Sequence, residues 1–204
     1  MPTEKMIERF SFVERLIHWA SAFSFLYAAL TGLSMWSHKL FWLASVFGGG
    51  EVTRATHPWA GTFFALVLGF MFRQWASQMR LDDDDRKWLK VSHRYAMNDE
   101  TGVPDAGRFN AGQKMLFWMQ SVSTLLLLVS GVVLWNPEWM PRTLRLIAIL
   151  LHPVAALGSI SGIIIHIYMG TLAVPGALHA MVRGVVTERW AKSHHKAWYK
   201  QISR

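Results

Sequence analysis

Four long apolar runs alternate with polar stretches along the chain, and each is close to the roughly 20 residues a helix needs to cross the hydrocarbon of a bilayer. They cover about residues 16–36, 56–75, 113–135 and 144–172. Between the first two, residues 37–54 hold Gly48-Gly49-Gly50 and read as a connection with a short interfacial helix at 40–47. Residues 78–111 turn charged, with Asp82-Asp83-Asp84-Asp85-Arg86-Lys87 followed by Gly102, Pro104, Asp105 and Gly107. This is an extramembrane loop with room for a short helix near Trp88–His93, its acid run forming a solvated face. Asn136-Pro137 and Pro141 mark a tight turn before the last run. The tail, residues 175–204, ends in the basic amphipathic stretch Arg189-Trp190-Ala191-Lys192-Ser193-His194-His195-Lys196 and is expected at a membrane surface. The pattern predicts a single membrane domain over residues 1–204, an all-α membrane protein built as a bundle of four transmembrane helices.

Composition sharpens this picture at three points. The chain is 52% apolar, yet its charged loops bring the mean hydropathy down to +0.21. It has no cysteine, which excludes disulfides, thiolate iron–sulfur ligation and covalent c-type haem attachment within the chain. The net charge of +8 flanks apolar spans, as membrane topology requires, and does not call for nucleic acid. Seventeen Lys and Arg fall on the side holding both ends and the long loop, against four on the other side, namely Lys39, Arg54, Arg142 and Arg145. The positive-inside rule therefore places both termini and the loop in the cytoplasm. Trp36, Trp42, Trp135 and Trp139 then mark the outer interface, and Trp75, Trp118 and Trp190 the inner one. Residues 1–14 lack the apolar core and cleavage site of a secretory signal, so the first span is expected to be retained.

The chemistry lies in four histidines. His152 and His166 are 14 residues apart, close to four helical turns, so both leave one face of the last span about 21 Å apart along its axis. At that separation they cannot share one metal ion. Threading the spans puts His57 level with His152 near the outer surface, and His18 level with His166 near the inner one. A lone histidine in a span is often a packing residue or proton relay, but two level pairs favour bis-imidazole ligation of two haems. Imidazole on both faces of an iron leaves no open position for dioxygen, so such centres carry electrons. Gly61, Gly69, Gly131, Gly158, Gly162 and Gly170 offer close approach to helix backbones, although Gly158-Ser159-Ile160-Ser161-Gly162 also reads as a small-residue helix contact. Arg15 and Arg54 are placed to anchor the interface or pair haem propionates. The other histidines, His38, His93, His179, His194 and His195, read as surface residues.

Arg15-Leu16-Ile17-His18-Trp19, His57-Pro58, Phe109-Asn110-Ala111-Gly112-Gln113-Lys114-Met115, His166-Ile167-Tyr168-Met169 and Arg189-Trp190-Ala191-Lys192 carry a resemblance over essentially the full length. The chain resembles the gamma, cytochrome b subunits of membrane-bound formate dehydrogenases. The resemblance implies two b haems, one on His18 and His166 and one on His57 and His152, the pairing that topology also gives. It implies reduction of a quinone, menaquinone or ubiquinone, at positions matching Asn110 and Gly112 with Gln113 adjacent. Read from the residues alone, Asn110 and Gly112 form a helix N-cap region. The implied partners are an iron–sulfur beta subunit and a molybdenum or tungsten alpha subunit that oxidises formate, and the implied location is the bacterial cytoplasmic (inner) membrane. The connection between spans three and four is shorter than the family's. Three alternatives remain open on sequence: the cytochrome b subunit of a hydrogenase or thiosulfate reductase, a histidine-based metal or proton transporter, and an inert anchor whose histidines merely pack.

Overall fold

Capping chemistry sets where the long helices begin. In the computed structural model, which describes residues 4–97 and 102–203, Glu14 Oε2 accepts from the Ser11 N–H at 2.8 Å and Ser11 Oγ accepts from the Glu14 N–H at 3.3 Å. That reciprocal box satisfies two otherwise orphan donors, and α1 runs Phe12–Trp36, starting a turn ahead of the apolar run. The interfacial helix expected at 40–47 is reduced to a 3-10 turn at His38–Leu40 and the short α2, Leu43–Val46. Gly48 and Gly49 then adopt φ of 90° and 98°, where a side chain would be strained. They release α3, Gly50–Trp75. His57-Pro58, which the apolar pattern puts at the start of this helix, therefore lies two turns inside it, because the polar residues before it are helical too.

The charged loop holds α4, Asp83–Lys90, and α5, Ser92–Ala96. Its acid run is only partly the solvated face that sequence suggests. Asp82 and Asp85 form a capping box, and Asp85 is buried against Lys114 Nζ at 2.5 Å. A third such box, Asn110 with Gln113 at 2.9 and 3.0 Å, starts α6, Ala111–Trp135. The last span is α7, Arg142–Tyr168, with Pro153 inside it and a wide π turn over Met169–Ala173. The tail supplies α8, Ala177–Arg183, then α9, Glu188–His194, and α10, Lys196–Ile202. Among the described residues, four helices are long and apolar enough to cross a membrane.

The chain divides into two compact units. The helix unit, Ile17–Arg73 with Gln120–Gly162, has the polarity of a membrane protein. Leu125, Leu150 and Phe23 are exposed, while Thr31, Ser34, Thr53, Ser130 and Ser159 are buried. Inside it α1 meets α3 through Phe25–Phe64 and through the Tyr27 and Thr56 hydroxyls, 2.6 Å apart. Trp59 of α3 meets Trp135 of α6 edge to face. Gln120 of α6 donates to the Ser159 carbonyl at 2.9 Å and accepts from its hydroxyl at 2.5 Å. The buried stripe of α7, namely Ala148, Ala155, Ser159 and Gly162, makes the small-residue contact that its sequence suggests only in part: Ser159 meets Gln120, whereas Gly158 is exposed.

The tail unit, Met1–Leu16, Gln74–Met119 and Ile163–Arg204, ties both ends of the chain to the loop. Strand β1, Met6–Glu8, pairs antiparallel with β2, Val185–Thr187, in the register Ile7 opposite Val186. Arg9 is buried, its guanidinium 4.7 Å from the Trp190 ring centre and donating to the Arg108 carbonyl at 3.0 Å. Arg108 returns a 2.7 Å ion pair to Glu14, which also accepts from Trp75 Nε1 at 2.8 Å. Trp75 is therefore a buried structural residue and not part of an interfacial belt. His195 is likewise no surface residue: it is 1% exposed. Its Nδ1 donates to the Gly107 carbonyl at 2.6 Å and its Nε2 accepts from Arg9 at 2.8 Å. Both ring nitrogens are used in the neutral form, and burial followed by the Arg9 charge pushes its pKa well below the ordinary 6.5. The rest of the tail docks on the loop, with Lys200 on Asp105 at 3.0 Å and the Ala197 N–H on the Ala106 carbonyl at 3.1 Å.

A histidine neutral when folded and protonated when unfolded removes stability as pH falls below its unfolded value. Between pH 7 and 5, hydrogen-exchange protection of the α9 and α10 amides should fall, approaching about 1.4 kcal/mol per pH unit below 6.5. His195→Gln, which keeps a donor and an acceptor, should flatten that dependence. Protection that stays constant in the wild-type chain contradicts the assignment.

Candidate functional site

Thr31 and Ser130 are helix hydroxyls in apolar surroundings, and each turns its single proton back on its own helix. Thr31 Oγ1 donates to the Tyr27 carbonyl at 2.7 Å, with Ala28 at 3.1 Å. Ser130 Oγ donates to the Leu126 carbonyl at 2.6 Å, with Leu127 at 3.4 Å. Their oxygens are left as acceptors. Thr31 Oγ1 lies 3.0 Å from His57 Nδ1, and Ser130 Oγ lies 2.9 Å from His152 Nδ1. With the hydroxyl protons committed elsewhere, each Nδ1 carries the ring proton and donates it. Each half-buried imidazole is therefore held in the tautomer whose Nε2 keeps a free lone pair, the form that a metal requires.

The two rings face one another across the helix unit. Their centroids are 6.2 Å apart and their planes 72° apart. Ring centres this close would let each imidazole turn a nitrogen toward one iron held between them. The donor set thus fits one bis-imidazole haem in element and in the closeness of its rings. Glycine completes it. A Cβ on Gly32 would come 3.1 Å from His57 Cε1, and one on Gly131 would come 3.4 Å from His152 Cε1, so both rings rest directly on helix backbone. Gly61, Gly69 and Gly158, also singled out in the sequence, face open space within 4 Å.

His18 belongs to the helix unit and His166 to the tail unit, and both are half-buried. His18 stands edge-on to Trp19 with ring centres 5.3 Å apart. His166 follows the buried stripe of α7 by one turn in the helical register. Arg15 is spent on the tail: its Nη1 donates to the Val182 carbonyl at 2.7 Å, and its Nε lies where a Cβ on Gly184 would come within 3.1 Å. Arg54 is exposed.

Asn110, Gly112 and Gln113 come together at the start of α6. The side-chain oxygens of Asn110 and Gln113 are both used in the cap, so their NH2 groups are what they have to offer a ligand. A Cβ on Gly112 would sit 3.3 Å from the Trp88 ring and 3.4 Å from Asn110 Oδ1, so this glycine first serves packing. Asn110 lines a polar recess of about 170 Å³ with Trp88, Asp82, Asp85 and Lys114. Sequence analysis missed Thr31 and Ser130. Their signal is the hydroxyl-glycine pair in Thr31-Gly32 and Ser130-Gly131, each one turn before a tryptophan.

The model of the prokaryotic cytochrome b561 family matches residues 9–184. The cytochrome b556(fdo) subunit of formate dehydrogenase from Escherichia coli K12 is 38% identical, covering 100% of this chain and 97% of its own length. The cytochrome b556(Fdn) subunit of the nitrate-inducible formate dehydrogenase of the same strain is 36% identical, covering 100% and 95%. The formate dehydrogenase cytochrome b556 subunit of Haemophilus influenzae is 34% identical, covering 92% and 79%. With four apolar helices, paired imidazoles and this match over most of its length, the chain belongs to the prokaryotic cytochrome b561 family, a multi-pass membrane cytochrome b of the electron-transfer kind.

Proposed function

We propose that this chain is the membrane subunit of a formate dehydrogenase complex, carrying electrons from an iron–sulfur subunit to quinone. The observation that carries the proposal is the His57–His152 pair, with ring centres 6.2 Å apart and both Nδ1 atoms within hydrogen-bond distance of a hydroxyl. The relatives are named as cytochrome subunits of formate dehydrogenases, which supports this reading; in it a catalytic subunit holding molybdenum or tungsten would oxidise formate, and its electrons would reach this chain through an iron–sulfur subunit. A cytochrome b subunit of a hydrogenase or thiosulfate reductase shares the architecture, but the full-length identity to formate dehydrogenase subunits favours the latter.

His57 and His152 would hold one haem b and His18 with His166 a second, the latter pair resting on span topology and on the resemblance. When bound, these groups supply reversible one-electron chemistry. The chain's own part would be to supply two imidazoles to each iron, which would deny dioxygen a site, and to bury the rings in a medium where charge is costly. Asn110 would donate its amide to a quinone carbonyl beside the inner haem, on the side that carries the excess of Lys and Arg and thus faces the cytoplasm. Capping leaves that amide as its free hydrogen-bonding group.

Three measurements test this. The protein purified in mild detergent and reduced with dithionite should show a b-type α band and about two haems per chain, and formate dehydrogenase subunits should copurify with it. A colourless protein rejects the proposal. His57→Ala should remove one haem and bring formate-driven quinone reduction to background; Gly32→Ala, by pushing on the His57 ring, should lower occupancy of the same haem. If both haems survive His57→Ala at full occupancy, the pairing is wrong. Asn110→Asp keeps the helix cap and deletes the amide donor, so loss of about 1 kcal/mol should raise the quinone KM about fivefold while haem reduction by formate continues. An unchanged KM removes Asn110 from the quinone site.

A further inference from the structure

The His57–His152 pair is assembled from two copies of one device. On α1 the run Thr31-Gly32-Leu33-Ser34-Met35-Trp36, and on α6 the run Ser130-Gly131-Val132-Val133-Leu134-Trp135, share a hydroxyl, a glycine and a tryptophan at the same spacing. Each is followed on the next long helix by a His-Pro pair, His57-Pro58 on α3 and His152-Pro153 on α7. The bonding repeats as well. In both copies the hydroxyl donates to the carbonyl four residues back, its oxygen meets the histidine Nδ1, and the next residue, glycine, lies against the same ring's Cε1. The correspondence stops at this pair: Phe117 on α6 stands where α1 has His18, and Met71 on α3 where α7 has His166.

We infer that Thr31 and Ser130 are positioning residues that orient His57 and His152 and hold down the redox potential of the haem these two ligate. The inference rests on the ligation proposed above. An acceptor on Nδ1–H draws the proton outward and makes the imidazole a stronger electron donor through Nε2. A more basic ligand stabilises the ferric over the ferrous state, so the potential falls; taking the acceptor away raises it. Both hydroxyls are buried, which strengthens the bond, and each adds its acceptor to a backbone carbonyl, Ala28 for His57 and Leu127 for His152, that also bonds the ring. Two acceptors, one on each face of the same iron, act in the same direction.

The test is a redox titration of the purified protein, following the α band, with the haem component that His57→Ala removes taken as the one in question. Thr31→Val and Ser130→Ala should each shift that component's midpoint upward, the double variant further, and the low-spin ferric resonance of the same haem should move with it. Thr31→Ser, which restores the hydroxyl, should keep the wild-type midpoint, and the second component should not move in any of them. If Thr31→Val loses the haem while Thr31→Ser holds it, the hydroxyl is required for the ligand's orientation, which also supports the inference. Midpoints and resonances unchanged in Thr31→Val and Ser130→Ala at full haem content overturn it and leave the ligation intact. A His57→Ala protein that keeps both components overturns the ligation, and the inference with it.

Discussion

A hydroxyl on a helix in apolar surroundings has one proton and two lone pairs, and no water to share them with. Its proton goes to the carbonyl a turn back, and its oxygen must find a donor or remain unpaired at a cost of about 1–3 kcal/mol. In this protein Thr31 and Ser130 resolve that problem on His57 and His152. The bond fixes the proton on Nδ1, frees Nε2 and aims the ring. Around it the neighbouring positions are constrained in turn, with Gly32 and Gly131 giving the rings room against the backbone.

The same rule governs the tail unit, where buried charge replaces buried hydroxyl. Arg9 is enclosed by the Phe10, Trp190 and Trp198 rings and bound to His195 and the Arg108 carbonyl; Arg108 is bound to Glu14, and Glu14 to Trp75. Removing one partner would strand a charge in a poor solvent for it, so the set stands or falls together. Its consequence is positional. The segment before α6 is held on both sides, by His195 at Gly107 and by Glu14 at Arg108, and that segment delivers Asn110 to its cap. A tail that binds the loop therefore supports the Asn110 cap, although His195 and Gly107 lie 88 positions apart in sequence.

The four spans and their order were legible in the chain because burial in lipid demands unbroken apolar length, a signal that depends on composition alone. So were the histidines, since spacing along a helix follows from 3.6 residues per turn. Boundaries were less legible. Ser11, Gly50 and Asn110 are polar or small and fall outside the apolar runs, yet capping and left-handed turns extend the helices to them. Asp85, Trp75 and His195 look like surface or interfacial residues by type, and each is buried because a partner distant in sequence satisfies it.

By itself, then, the sequence determined four membrane-crossing helices, the side on which basic residues accumulate, and the presence of two His-Pro pairs and two further histidines as ligand candidates. Only the tertiary structure decided that the His57 and His152 rings stand 6.2 Å apart and that Thr31 and Ser130 meet their Nδ1 atoms. The division has a physical cause. Helix length and register are local properties set by composition and periodicity, whereas a ring's tautomer and its distance from a partner depend on which helices pack side by side, and no spacing along one chain encodes that directly.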